Sequence, residues 1–195
     1  PESEPGDALV LDNITLTSEE GGEEPTPEPE GPVTITIGEG TYVSINAPIN
    51  NQASYAYSYS QQIYLKDEIG KANGLITSIA FHNKLGGSNT RNIVVYANNT
   101  EKSSYATDGE LTNLVTVSAS DIVYEGELTF GANETWSTIE LQTPFVYTGE
   151  NLVITVNDKT GIAKGYDGYD QFYAVGNMCC WWVIILWRNV YVCAS

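Results

Sequence analysis

Apolar and polar residues alternate along most of the chain in short runs that are rich in Val, Ile, Thr and Tyr. This period of two is typical of β-strands with one buried face, and clusters of Gly, Asn and Asp separate the runs. The predicted strands are 33–37, 41–45, 53–59, 75–82, 91–97, 121–130, 136–141, 144–147, 151–157 and 171–175. Many short strands at this spacing predict an all-β protein, built as a sandwich or a barrel.

Helical signals are weak by comparison. The segment 65–70 (LKDEIG) has acidic residues early and a glycine at its end, which predicts a single helical turn. Gly149 separates the runs 144–147 and 151–157, and this arrangement predicts a hairpin between them.

Residues 1–31 differ from the rest of the chain in charge. They contain ten of the 25 acidic residues and no Lys or Arg, so they supply −10 of the net charge of −17. Residues 7–17 alternate like one strand, which cannot bury its apolar face alone, so 1–17 are predicted to be the terminal strand of a truncated upstream domain. The run 18–32 (SEEGGEEPTPEPEGP) predicts a disordered acidic linker, because repelling charges, Pro and Gly oppose folding.

The β-sandwich module is predicted to span 33–177 and to be followed by an atypical hydrophobic tail, 178–195. All three Cys and three of the four Trp lie in the last 17 residues. A shifted reading frame would explain so abrupt a change in residue usage. The longest apolar run of the tail, 178–187, has ten residues and falls short of the ~20 that a membrane helix needs, so no membrane span is expected.

Several blocks between residues 40 and 177 together resemble a known module. They are YSYSQQIYLKDEIG at 57–70, GLITSIAFHNK at 74–84, TRNIVVYANNTEKSSY at 90–105, LTF at 128–130 and WSTIELQTPFVYTGENLVITVNDKTG at 136–161. In this order they resemble the jelly-roll, cleaved adhesin domains of secreted bacterial proteases and adhesins of the gingipain and haemagglutinin type. After Asn177 the chain departs from that family, which continues with a polar, Tyr-containing strand.

The resemblance implies an antiparallel, jelly-roll-like β-sandwich that serves as a non-catalytic binding or adhesion module. Its location would be secreted or on the outer surface of a bacterium, its ligand an extracellular glycan or a host protein, and its neighbours other domains of the same polypeptide. Two alternatives remain: a structural spacer accessory to a secreted cysteine protease, and a glycoside hydrolase. The negative net charge excludes nucleic acid and anionic membranes as partners.

Few residues suggest catalysis. His82 is the single histidine, and the sequence contains no G-x-S-x-G, H-E-x-x-H or paired C-x-x-C motif. We therefore interpret His82 as an ordinary residue at a strand end. A glycosidase needs only two carboxylates, and the candidates are Glu125, Glu127, Glu140 and Glu150, in strand and turn contexts where solvated acids are the rule.

Two sets of residues are candidate ligand sites. Tyr55, Tyr57 and Tyr59 would share one face of a strand and could stack on sugar rings, or they could simply cover the sandwich. Asn157, Asp158, Asp167 and Asp170 offer oxygen ligands to a structural Ca²⁺, although Asn and Asp also form turns without any metal.

Overall fold

A computed structural model gives the fold and describes residues 9–14, 32–38, 42–44, 47–50, 56–86, 90–105, 113–162, 170–174, 183–185 and 188–192. These ranges hold twelve strands and one four-residue helix, α1 (Lys66–Ile69). The strands are β1 (Leu9–Ile14), β2 (Val33–Ile37), β3 (Tyr42–Ser44), β4 (Ser58–Tyr64), β5 (Gly74–Leu85), β6 (Thr90–Thr100), β7 (Ile122–Thr129), β8 (Trp136–Tyr147), β9 (Asn151–Asp158), β10 (Gln171–Ala174), β11 (Val183–Ile185) and β12 (Arg188–Val192).

The strands form two sheets. In the first sheet β5 is central: β8 lies on one of its edges, while β1 and β10 share the other edge and lead on to β2 and β3. The second sheet has the order β11-β12-β4-β9-β6-β7. Pairing is antiparallel, except that β12 runs parallel to β4. The prediction of an all-β, antiparallel sandwich is confirmed.

Alternating side chains of both sheets meet in one core. The first sheet contributes Ile79, Phe81 and Phe172, and the second contributes residues such as Ile93 and Ile154, all of them buried. Phe172 packs edge-on against two other rings, with centroid distances of 6.3 Å to Phe81 and 5.0 Å to Phe130. Because inner and outer positions alternate along a strand, burial of Phe81 and Phe172 directs their neighbours His82 and Tyr173 outward.

A smaller cluster covers the outer side of β4. It consists of Ile63, Tyr105 and Val153 with the half-buried Leu65, Leu114 and Val115. The fully buried Gln61 fastens it: the side-chain Oε1 accepts the Val115 N–H at 2.9 Å, and its Nε2 donates to the Val115 carbonyl at 2.7 Å. The Tyr105 hydroxyl donates to the same Oε1 at 2.9 Å. The Gln61 side chain thus bonds the N–H and the carbonyl of Val115, as the backbone of a neighbouring strand would.

The structure places the N-terminal strand differently from the sequence prediction. β1 lies inside the first sheet, antiparallel to β2 on one side and to β5 on the other. Its apolar alternation does require a partner, but this sheet supplies one, whereas we predicted the strand of an upstream domain. Residues 15–31, which hold nearly all of the predicted linker, lie outside the described residues.

Two other expectations need correction. The predicted strands 136–141 and 144–147 form the single strand β8, whose register against β5 shifts between the pairs Ile76–Phe145 and Ser78–Glu140. The predicted hairpin at Gly149 is wrong, since β8 and β9 belong to different sheets. Gly149 has a φ of 85° and turns the chain from one sheet to the other.

The predicted helical turn is confirmed. α1 ends at Gly70, whose φ of 66° is left-handed, and the Gly70 N–H donates to the Lys66 carbonyl at 2.9 Å. At the start of α1 the Glu68 carboxylate accepts the Leu65 N–H at 2.8 Å. In the tail, β11 pairs with β12. Over the described ranges, no helix has the length and apolar character needed to cross a bilayer.

Candidate ligand-binding site

Three aromatic side chains form a stack on the outer face of the first sheet. The centroids of the His82 ring on β5 and the Trp136 ring on β8 are 4.6 Å apart, and the ring planes differ by only 12°. On its other side, the Tyr173 ring on β10 lies at 4.8 Å and is tilted by 38°. We call Trp136, His82 and Tyr173 the aromatic stack. Each ring comes from a different strand, so the sheet itself sets their spacing.

Strand register explains why these rings meet. His82 pairs directly with Trp136 across β5 and β8, and side chains at paired positions are close neighbours on the same face. Trp136 is 39% exposed although it is among the largest apolar side chains of the domain. β8 is the edge of its sheet among the described strands, so no further strand lies beyond the indole.

A charged pair lies beside the aromatic stack. Lys84 forms an ion pair with Glu134, and the Lys84 Nζ lies 5.4 Å from the centroid of the Tyr173 ring. The Tyr173 hydroxyl donates to Glu134 Oε2 at 2.8 Å. Hydrogen bonds from Lys84 and then Tyr173 hold the pKa of Glu134 below its ordinary value, while the bond to Glu134 raises that of Lys84. Both groups are therefore charged at neutral pH.

Glu134 has a φ of 58°, a left-handed backbone conformation that residues other than glycine rarely adopt. The turn that contains it is fixed from several sides: Asn83 N–H donates to the Thr135 carbonyl at 2.7 Å, and Gly86 N–H donates to Asn133 Oδ1 at 2.8 Å. A Cβ on Gly86 would lie 1.5 Å from the Gly131 carbonyl oxygen, so only glycine fits there. These contacts set where the Glu134 carboxylate lies.

The arrangement combines flat aromatic rings with charged groups that can form hydrogen bonds. An exposed indole offers a flat apolar face on which the C–H face of a sugar ring can pack. At the Tyr173 end of the stack, Glu134 can accept hydrogen bonds from hydroxyl groups and Lys84 can donate to them. Strain at Glu134 agrees with such a role, because residues in sparsely populated conformations concentrate at functional sites.

The residues predicted to bind calcium have a different environment. Asp158 and Asp170 do come together, but around the guanidinium of Arg91, with N–O distances of 3.1 Å and 3.3 Å. Asp158 also accepts the Thr160 N–H at 2.8 Å. Asn157 and Asp158 are consecutive in β9, so their side chains point to opposite faces and cannot share one ion. Asp167 lies outside the described residues.

The predicted tyrosine row is also only partly described. Tyr55 lies outside the described residues, Tyr57 precedes β4 and is 38% exposed, and Tyr59 within β4 is half-buried. Gln61 Nε2 donates to the Tyr59 hydroxyl at 3.3 Å, and burial raises the pKa of this phenol above 10.0. The ring of Tyr57 lies against Gly161. Tyr57 and Tyr59 thus have different surroundings, and only Tyr57 offers much free surface.

The residues considered for catalysis have ordinary surface partners. His82 stacks between Trp136 and Tyr173, and Glu125 on β7 forms an exposed ion pair with Lys159 at 3.1 Å. Glu140 is an exposed residue of β8, in the other sheet. Within the described part of the chain, no three His, Cys, Asp or Glu side chains are grouped so that they could hold a metal ion.

No protein-family model matches the chain, and no curated protein or solved structure compared with it matches either. The resemblance to cleaved adhesin domains therefore stays a prediction from the sequence. The aromatic stack itself was not predicted. One signal was available, because Trp136 is the single Trp among residues 1–180 and begins a strand whose polar positions face outward.

Proposed function

We propose that the chain is a non-catalytic carbohydrate-binding and adhesion module of a secreted or surface-attached bacterial protein, with the aromatic stack as its binding site. The observation that carries this proposal is the exposed Trp136 ring, held nearly parallel to His82 in a stack whose Tyr173 end contacts the Lys84–Glu134 pair. Secretion, adhesion and the multidomain parent protein are supported by the sequence resemblance alone.

Physical chemistry favours a binding role over a purely structural one for Trp136. Trp combines a large apolar ring with a polar N–H, and such side chains are enriched at interaction surfaces. The ring is also preorganised, because its partner His82 lies between it and Tyr173. A ligand that packs on it therefore orders few side chains on binding, which keeps the entropic cost low.

A binding comparison of two single variants tests the proposal. The full 195-residue chain, Trp136→Ala and Tyr57→Ala are applied to a broad array of glycans, with and without Ca²⁺, and hits are measured by calorimetry. The control is matched, since Tyr57 is 38% and Trp136 39% exposed. We expect Trp136→Ala to weaken binding about tenfold or more, as loss of an aromatic stacking contact does, and Tyr57→Ala to leave it unchanged.

Three results would contradict the proposal. Equal losses in both variants would favour a site at the predicted tyrosine row or a general surface effect. Unchanged binding by Trp136→Ala would remove the aromatic stack from the site. If no glycan binds under any condition, the structural spacer becomes the better interpretation. Thermal melts of both variants, which we expect to match the parent chain, check that folding is preserved.

A further inference from the structure

We infer that Glu134 determines specificity at the aromatic stack, so that the site accepts neutral sugars and rejects acidic ones. This inference rests on the proposed function, since it concerns the ligand class of the same site. Its basis is the way in which Glu134 engages the two polar groups that border the stack: the ammonium of Lys84 and the hydroxyl of Tyr173.

Lys84 is placed where a cation would attract an acidic sugar. Its Nζ lies over the Tyr173 ring, 5.4 Å from the centroid, and its side chain remains 37% exposed. A uronate in an oligosaccharide that extends along the stack from the indole to Tyr173 would meet this ammonium. Lys84 is already paired with a carboxylate of the chain itself, however, and that carboxylate is 52% exposed at the same surface.

Glu134 therefore opposes an acidic ligand in two ways. It neutralises the one ammonium that contacts the stack in the described structure, and its own charge repels a second carboxylate. The net charge of −17 adds a weaker repulsion from the rest of the chain. Hydroxyl groups meet no such penalty, because they can donate to Glu134 and accept from Lys84 without breaking the ion pair.

The backbone at Glu134 is a second, independent observation. A left-handed φ of 58° favours Gly, Asn or Asp over a longer side chain. Asn83 and Gly86 hold the turn through bonds to Thr135 and Asn133. These bonds do not involve the side chain of residue 134, so they would persist with another residue there. A glutamate at this position thus costs conformational energy that the turn does not require, which agrees with a role for its carboxylate at the surface.

The test compares the parent chain with Glu134→Gln, each on a neutral sugar and on the acidic form of the same sugar. Neutral oligosaccharides of glucan, mannan and galactan are each compared with the form whose C6 hydroxymethyl group is oxidised to a carboxylate. For the parent chain we expect binding to a neutral form and at least about tenfold weaker binding to its oxidised partner. Glu134→Gln keeps the shape and frees Lys84, so it should bind the oxidised form about tenfold more tightly than the parent does, and this gain should fade at high salt.

A double variant identifies the source of that gain. Adding Lys84→Met to Glu134→Gln should abolish the new affinity for the oxidised sugars, because no cation is then left at this end of the aromatic stack. If Glu134→Gln gains nothing, or if the parent chain prefers the oxidised form, the inference is overturned while Trp136-dependent binding still supports the proposed function. If no sugar of either kind binds, both fail together.

Discussion

Two groups of paired charges in the described structure, one buried and one exposed, have contrasting surroundings. In the first, Arg91 holds Asp158 and Asp170, and the three side chains are exposed by only 1%, 2% and 0%. In the second, Lys84 holds Glu134, and these side chains are 37% and 52% exposed. Each cluster joins residues far apart in sequence. Burial, more than residue type, therefore separates these two groups of charges, and only the exposed pair has the access to solvent that the proposed ligand site needs.

The cost of desolvation explains the difference. Buried charges are tolerated only when every one of them is paired, so Arg91 and its two aspartates form a unit whose members depend on one another. Exposed charges keep their contact with water and can exchange partners at little cost. The Lys84–Glu134 pair can therefore exchange contacts with a hydroxyl group, whereas Arg91, Asp158 and Asp170 must keep their pairing.

The largest effect is expected at the buried cluster. Arg91→Met leaves two buried carboxylates without their cation, and loss of one partner from a buried ion pair costs about 3–5 kcal/mol. Urea unfolding should show this loss in the free energy of unfolding. The matched control is Lys159→Met, which removes the cation of the exposed pair with Glu125 and should change the midpoint very little. Similar losses in both variants would break the comparison.

An intermediate effect is expected at the turn that supports the exposed pair. Gly86→Ala places a Cβ 1.5 Å from the Gly131 carbonyl oxygen, and backbone must move to admit it. We expect a loss of about 1–3 kcal/mol, as for other overpacked sites, together with weaker glycan binding because the turn carries Glu134. Gly126→Ala is a control for glycine loss alone, since that Cβ would meet no atom closer than 3.4 Å. Full glycan affinity in Gly86→Ala would separate the turn from the site.

The smallest effect concerns a buried polar group outside both clusters. The Tyr147 hydroxyl is buried without a hydrogen-bond partner in the described structure, and burial, followed by Glu150 and Asp67, raises its pKa. Tyr147→Phe removes an unsatisfied group, so stability should hold or rise by up to about 1 kcal/mol. A raised pKa means that the folded form resists ionisation, and stability falls as the pH rises above about 10. The advantage of Tyr147→Phe in thermal melts should therefore grow between pH 8 and pH 10.5; a shrinking advantage would contradict this.

Much of the fold could be predicted because strands and turns leave local signals. Alternation located β2, β5, β6, β7 and β9 to within a few residues, and Gly70 marked the end of α1. Pairing partners leave no such local signal, so the alternation of β1 did not reveal that β5 is its neighbour. We predicted β8 as two strands, 136–141 and 144–147, but it is continuous, and its place at the edge of the sheet tolerates the missing N–H of Pro144.

The candidate site was less predictable, for the same reason. His82, Trp136 and Tyr173 are distant in sequence, and only the register of β5 against β8 and β10 brings them together. The sequence analysis grouped Asp158 and Asp170 as neighbours, but their spacing gave no sign that Arg91 lies between them. The calcium site predicted from spacing thus did not anticipate that one guanidinium pairs with both carboxylates.

The bond between Gln61 and Val115 has a consequence for local unfolding. Segments outside strands commonly open on their own, at a fraction of the free energy that unfolds the whole domain. Here the Val115 amide and carbonyl both bond to a buried side chain of β4, and β4 pairs with β9 along its whole length. Residues 113–117 therefore share the cooperative unit of the second sheet, and their release requires disturbance of the sheet itself.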